Sequence, residues 1–386
     1  MSETAYHIID ADTHVTEPHD VWTSRVPARW KDKVPHVETN PDTGEETWVV
    51  QGQAMISVGS TAPAGWREPY PATPPTYADT HPGSYQPGPR LDYMDRLGVW
   101  AQVLYPNVGG FGNQVFLGLG DSELMIECVR AYNDFLLEWS AYDSRRLVPI
   151  MATPFWDVEA AAAEIRRCAP LGHRGILFSG EPHTHGLPFL ADRHWDPFWE
   201  AAREVDLPIH FHIGSGDMAS EFSQERTDVE SFTASAARGG SKLFLFNGGH
   251  LLDLLFSGVP ARYPSLRFVS VESGAGWIPF ILQSADYQFH TLNVGSERPD
   301  LKLLPSEYFR RQVYACCWFE KISPELLEWI GADRIMFETD YPHPTSLYDT
   351  EVQQAIDAGL SDLPEAARRR ILWENAARLY GIEDPR

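Results

Sequence analysis

Residues Ile8–Pro18 read IIDADTHVTEP, and this stretch decides how the rest of the chain is read. Tyr6–Asp10 has the short apolar run of a buried strand, and Asp12 and His14 follow it at once. Positions i and i+2 of an extended backbone project to one side, so a carboxylate and an imidazole can reach the same ion. Asp10 shares that parity, and Glu17 follows in the loop. Burying so many polar groups at a strand end is costly unless something ionic binds them. Asp and Thr also cap helices, so one DxH does not make a metal site. The missing ligands must come from elsewhere.

An insertion over about residues 25–89 is expected after this first strand, because the region is rich in Pro, Gly, Thr and Trp. Within it, Glu46–Gly59 alternates like a hairpin turning near Gln51–Gly52. The stretch that follows holds too much proline for a helix or central strand. Its rings (Trp66, Tyr70, Tyr77, Tyr85) favour a packed lid over a disordered linker.

From Arg90 the chain becomes regular. Strands are expected at Ala101–Pro106, Leu147–Ala152, Arg174–Ser179, Leu207–His212, Leu266–Glu272, Val313–Phe319 and Arg334–Asp340. Helices are expected at Arg90–Leu97, Ser122–Tyr142, Val158–Ala169, Asp196–Val205, Ile278–Phe289, Glu325–Ile330 and Pro364–Tyr380, the last stopped by Gly381. A helical region over 225–255 should break at Gly239–Gly240 and near Gly248–Gly249. With the first strand this makes eight strands in alternation with helices. Their continuous apolar runs suit strands covered on both faces. Count, spacing and length fit an α/β fold, a (β/α)8 TIM barrel forming one domain over residues 1–386. An open doubly wound sheet would also alternate, but no Gly-rich phosphate loop follows any strand.

Composition excludes several partners. The chain has 386 residues, 43% of them hydrophobic, enough for a full core, and a net charge of −23. Such an acidic balance argues against nucleic acid or an anionic membrane. No run approaches the 18 or so apolar residues of a membrane span. No leader pattern is legible at the N-terminus, so no signal peptide is expected. Cys128, Cys168, Cys316 and Cys317 lack CxxC spacing and suit buried thiols in a reducing cytoplasm.

In barrels of this kind chemistry gathers at the C-terminal ends of strands. Here strand one ends in Asp12 and His14, strand five in His210 and His212, and strand six in Glu272. Strand eight ends in Glu338 and Asp340, with His343 just beyond. One such histidine would be an ordinary core residue. Four strand ends so equipped point to a metal centre. A divalent ion on His and carboxylate ligands can turn bound water into a nucleophile or polarise a substrate oxygen. His250, in NGGH, reads equally as a mouth residue or as packing, and His183 and His185 lie in the loop after strand four.

With these residues placed, the chain resembles the amidohydrolase superfamily, in the branch of aminocarboxymuconate-semialdehyde and resorcylate-type decarboxylases. DADTHVTEP, LPIHFHIG, ARYPSLRFVSVESGAGW, ETDYPH and ENAARLYGI carry the resemblance over nearly the whole chain. It implies a ligand set of Asp12, in place of the usual first His of an HxH, with His14, His212 and Asp340. Glu272 stands where many relatives carry a His that acts as acid/base or ligand. Glu17, His210, Glu338 and His343 are candidates for a second metal or for support of the first. Such a carboxylate-heavy set suits zinc, manganese or iron, the harder ions above all, in one or two copies per chain. No Lys at the end of strand four offers a carbamylated bridge; Ser179 and Gly180 stand there.

The resemblance implies a metal-dependent decarboxylase or hydrolase acting on a small carboxylic or aromatic acid, and a homodimer. Glu272 would bind the ion or move the proton, assisted by His210 or His343. Arg67 or Arg90, near the lid, is a candidate partner for a substrate carboxylate; the other substrate contacts are not legible. A second reading is a carboxylate-rich di-iron oxygenase on the same barrel, though no ExxH pair on bundled helices supports it. A third is a binding module with a decayed site, disfavoured because every strand-end position is still ionisable.

Overall fold

A computed structural model describes residues 8–216 and 221–384 of the chain. The first strand, β1, spans Ile8–His14. Residues 6–7 of its expected start lie outside the described residues. The insertion contributes β2 (His36–Thr39), β3 (Glu46–Val50) and β4 (Gln53–Ser57), a small antiparallel sheet. Then come β5 (Val99–Tyr105), β6 (Leu147–Met151), β7 (Gly175–Leu177) and β8 (Ile209–His212). The series ends with β9 (Phe268–Val271), β10 (Val313–Cys317) and β11 (Ile335–Phe337).

The eight strands expected of a barrel form one parallel sheet in chain order, from β1 through β5 to β11. Its two edges meet where the chain runs on past β11. His14 N donates to Tyr341 O at 2.7 Å, and Asp340 N donates to Asp12 O at 3.0 Å. The fold is an α/β (β/α)8 barrel. Ile9, Ala11, Val148, Ile150, Val269 and Met336 help fill its interior, and helices pack around the outside.

β1 is longer than the sequence suggests and carries a bulge. Asp10 pairs with Gln102 and Thr13 with Leu104, so three steps on β1 face two on β5. The extra residue switches the side-chain parity. Ile9 and Ala11 point into the barrel below the bulge, whereas Asp12 and His14 do so above it. Asp10 therefore leaves the group its i, i+2 spacing had implied. Instead it accepts from Thr339 N (2.9 Å), Thr339 Oγ1 (2.6 Å) and Gln102 Nε2 (3.1 Å), joining β1, β5 and the end of β11.

The hairpin turns where expected. Gln51 and Gly52 both have positive φ, 50° and 74°, as a two-residue turn that matches strand twist requires. Trp30, Trp48 and Tyr77 of the insertion are buried in the main core and Tyr85 packs against it, whereas Trp66 is only half-buried and Tyr70 is exposed. The long helix does not break at its glycines but runs unbroken over Phe232–Ser257. At Gly239 the missing side chain makes room for Phe222, whose ring would lie 2.5 Å from a Cβ. Packing thus outweighs the ~1 kcal/mol helix penalty of a glycine. Helices Pro305–Gln312 and Thr350–Leu360 were not anticipated, and the terminal helix contains a π turn at Arg370–Glu374. Among the described residues no helix is long and apolar enough to cross a membrane.

Candidate metal centre

Two imidazoles and three carboxylates converge at the C-terminal mouth of the barrel. His14 Nε2 lies 3.6 Å from Asp12 Oδ1 and 3.4 Å from Asp340 Oδ1. His212 Nε2 lies 3.6 Å from Asp12 Oδ2 and 3.4 Å from Glu272 Oε2. His343 joins through Nδ1, 2.6 Å from Asp340 Oδ1, and its ring stacks on His14 at 3.9 Å. Two overlapping quartets satisfy a common ligand spacing: Asp12, His14, His212 and Glu272, and His14, Glu272, Asp340 and His343. They share His14 and Glu272, so they describe one centre.

The backbone aims these groups. His14 Nδ1 is 3.0 Å from Pro106 O, and His212 Nδ1 is 3.0 Å from Ile213 O. A carbonyl can only accept, so both Nδ1 atoms carry the proton and both Nε2 lone pairs face the centre. Glu272 and Asp340 sit in the left-handed region with φ of 56° and 59°. That conformation is uncommon for a residue with a side chain and concentrates at functional sites. Glu338 Oε2 accepts from Glu272 N at 3.2 Å and supports that turn.

The electrostatics call for a cation. Asp12, Glu338 and Asp340 are fully buried and Glu272 is 7% exposed. Burial, then mutual repulsion, holds Glu272, Glu338 and Asp340 well above the usual carboxylate range. Burial and the neighbouring imidazoles hold His14 well below its ordinary value, so it is neutral. Among the described residues no Lys or Arg pairs with these carboxylates. Both Asp12 oxygens and the Nε2 atoms of His14 and His212 have no hydrogen-bond partner among the described residues. Buried orphaned acceptors of mixed imidazole and carboxylate type are what a divalent ion binds. The residues fit the ion.

The family model described as "Amidohydrolase" matches residues 9–382. The chain belongs to the amidohydrolase family. Among curated relatives, the gamma-resorcylate decarboxylase of Polaromonas sp. (strain JS666) is 27% identical to this amidohydrolase over 302 residues, 76% of this chain and 86% of the relative. A solved amidohydrolase from Mycobacterium avium subsp. paratuberculosis K-10 superposes with a TM-score of 0.75 over 97% of this chain and 99% of its own, at 21% identity. A dihydroxybenzoic acid decarboxylase from Polaromonas sp. JS666, solved with manganese and 2-nitroresorcinol, gives a TM-score of 0.61 over 97% of each chain, at 20% identity. At these identities the two structures speak for the fold. The relatives lie in the decarboxylase branch that the motifs implied, and the oxygenase reading finds no support among them.

Within the amidohydrolase, the candidates named from sequence separate. Asp12, His14, His212, Glu272, Asp340 and His343 come together. His210 does not. Two residues of strand rise, about 6.6 Å, set it one layer deeper in the barrel. There its Nδ1 hydrogen-bonds Tyr105 OH at 2.6 Å, and Gly175 leaves room for its ring. Glu17 turns away to accept from Asn107 N (2.9 Å) and Val108 N (3.2 Å), holding the loop after β5. Arg90 is fully buried and donates to His14 O (2.6 Å), Gly83 O (2.5 Å) and Gln102 Oε1 (3.0 Å), so it braces β1 from within the core. Arg67 is 80% exposed, beside Glu68.

Sequence reading missed Phe111 and Asn107. Phe111 stacks on His212 (4.4 Å) and stands edge-on to His14 (5.3 Å) and His343 (5.7 Å), walling the centre. Its signal was a lone aromatic within NVGGFGN at the end of a barrel strand. Asn107 Oδ1 meets His343 Nε2 at 2.6 Å, a pairing across the barrel mouth that no local pattern announces.

Proposed function

We propose that this amidohydrolase removes the carboxyl group of a small aromatic hydroxy acid as CO2, without oxidation. The observation that carries the reading is the buried Asp12, His14, His212, Glu272 and Asp340 centre on a chain whose curated relatives are gamma-resorcylate decarboxylases. Asp12, His14, His212 and Asp340 would hold the ion, with Glu272 beside it. A bound divalent ion polarises a substrate oxygen and fixes the acid in place. Manganese is the ion we favour, because the donors are carboxylates and imidazoles without thiolate.

Glu272 is the proton carrier in this reading. Burial and the neighbouring carboxylates push its pKa well up, which favours the protonated acid where Glu272 does not itself bind the ion, and its slight exposure opens it to substrate. It gives a proton to the ring carbon that bears the carboxylate. The C–C bond then breaks, its electron pair returns to the ring, and CO2 leaves. Asn107 Nδ2 donates to Val15 O at 3.0 Å, which turns its Oδ1 toward His343 and makes Nε2 the donor there. His343 Nδ1, 2.6 Å from Asp340 Oδ1, then orients that carboxylate toward the ion, and the proton that restores Glu272 after each turnover comes from solvent water.

The insertion acts as a lid over His343, supported by the backbone bond from Ala64 N to Pro342 O at 3.2 Å. Cytoplasmic location and a homodimer belong to the same reading, and the four buried free thiols support the former.

The test is CO2 release from 2,6-dihydroxybenzoate by manganese-loaded protein. Turnover should require the ion. Asp12→Ala and Asp340→Ala should lose both bound metal, measured by elemental analysis, and turnover. Protein with full metal occupancy that releases no CO2 from any hydroxybenzoate would overturn the reading.

A further inference from the structure

We propose that the cleft between the insertion and the loop after β11 is the subsite for the far end of the substrate, and that it accepts a neutral or cationic substituent while rejecting a second carboxylate. The inference rests on the decarboxylase reading and names the substrate class that reading leaves open. The cleft has a volume of about 580 Å³, within the range that holds a small aromatic ligand. His343 lines it and also lies 2.6 Å from Asp340, so the cleft adjoins the metal centre.

Its shape is set by fixed contacts. Tyr348 forms one wall, stacked on Tyr93 at 5.6 Å, which in turn stacks on Tyr341 at 4.6 Å. Trp66 and Tyr70 form the other wall, and Tyr70 stacks on Phe232 at 5.9 Å. The walls meet at Gly65, where φ is +79° and a Cβ would lie 2.7 Å from the Tyr348 ring. Flat apolar walls of this kind take a ring.

Charge decides what the ring may carry. Glu68, Asp349 and Glu351 line the cleft, and among the described residues no Lys or Arg does. Arg67 and Arg96 stand outside it, 3.6 Å from Glu68 and 3.8 Å from Asp349. Both pairs are about half exposed or more, so each arginine only partly offsets its carboxylate, and three acids against two bases leave the cleft acidic. Glu351 accepts from Tyr348 N at 2.9 Å, which fixes its carboxylate at the rim of the cleft. A carboxylate entering beside these groups meets like charge without a partner, whereas an amine or hydroxyl meets acceptors.

The experiment compares 2,6-dihydroxybenzoate with its analogues bearing a carboxylate, a methyl or an amino group para to the reacting carboxyl. The added carboxylate should lower kcat/KM severalfold, by about three- to tenfold, the scale of solvent-screened like-charge contacts with three carboxylates. The methyl and amino compounds should be turned over. Glu68→Gln combined with Glu351→Gln should raise the diacid's kcat/KM relative to that of the monoacid. Equal turnover of monoacid and diacid, or a double variant that leaves their ratio unchanged, overturns the subsite. Absence of CO2 release from every compound overturns the decarboxylase reading instead. Calorimetric binding to the manganese-loaded protein then decides the subsite: tighter binding of the monoacid supports it, and equal or tighter binding of the diacid overturns it.

Discussion

Glu17 shows how a single buried carboxyl can tie a site to its pH range. Oε1 accepts two backbone amides of the loop after β5, while Oε2 is buried without a partner. Burial outweighs those hydrogen bonds and raises its pKa from 4.5 to about 7. Asp10, sealed between β1, β5 and Thr339, rises to about 7 for the same reason. A carboxyl raised on folding holds a proton that the unfolded chain has already lost. Its stabilising contribution is complete below the unfolded pKa and disappears as pH climbs through about 7. The melting temperature of chelator-treated protein should therefore fall from about pH 5 to about pH 8. Glu17→Gln keeps an acceptor for both amides and carries no charge, so its melting temperature should fall less over that range. An equal fall in the variant would place the buried charge elsewhere. Nothing local in VTEPH separates a ligand from a loop holder; the difference lies in Asn107 and Val108, ninety residues away.

At the scale of elements, what could be read from sequence was whatever period and composition impose. The runs LPIHFH and RIMFETD had to be strands, and their polar ends had to lie at one mouth of a closed sheet. That placement singled out Asp12, His14, His210, His212, Glu272, Glu338 and Asp340, and the resemblance to the amidohydrolases chose the ligand set from among them. Features that depend on pairing were hidden. The bulge that separates Asp10 from Asp12 is fixed by the register against β5, and the long helix keeps its glycines because other elements press against it. Gly180, just past β7, is a case of the second kind. A Cβ there would stand 2.3 Å from the His250 ring, which the long helix buries beside Glu181. Gly180→Ala should cost about 1–3 kcal/mol by overpacking, read by urea unfolding. In a double-mutant cycle, His250→Ala should recover much of that cost, since the two changes share one space. A neutral Gly180→Ala would show that the helix can shift, and that this contact does not fix it.

For the whole molecule, the centre sits on the seam where the barrel closes. β1 supplies Asp12 and His14, β8 supplies His212, and the chain beyond β9 and β11 supplies Glu272 and Asp340. The seam itself is thin: beside the side-chain bonds of Asp10, the backbone bonds there run from His14 N to Tyr341 O and from Asp340 N to Asp12 O. Both involve residues proposed to hold the ion, so on that proposal the ion and the closure of the sheet are one structural event. Without the ion, the carboxylates meeting across the seam repel as they ionise, and the seam is the place that yields. Binding to the folded state alone contributes about 2.7 kcal/mol at a free-ion concentration of a hundred times Kd. Manganese should thus raise the melting temperature, and more so at higher pH, where fewer protons compete for the carboxylates. The decisive measurement is amide hydrogen exchange with and without chelator. Removing the ion should speed exchange at His14 and Asp340 well beyond any change at Ile176 and Phe178, in the ladder between β7 and β8 on another part of the wall. Uniform acceleration around the barrel would mean that the ion stabilises the fold as a whole without closing the seam, and no change at any of these amides would mean that the sheet closes without it.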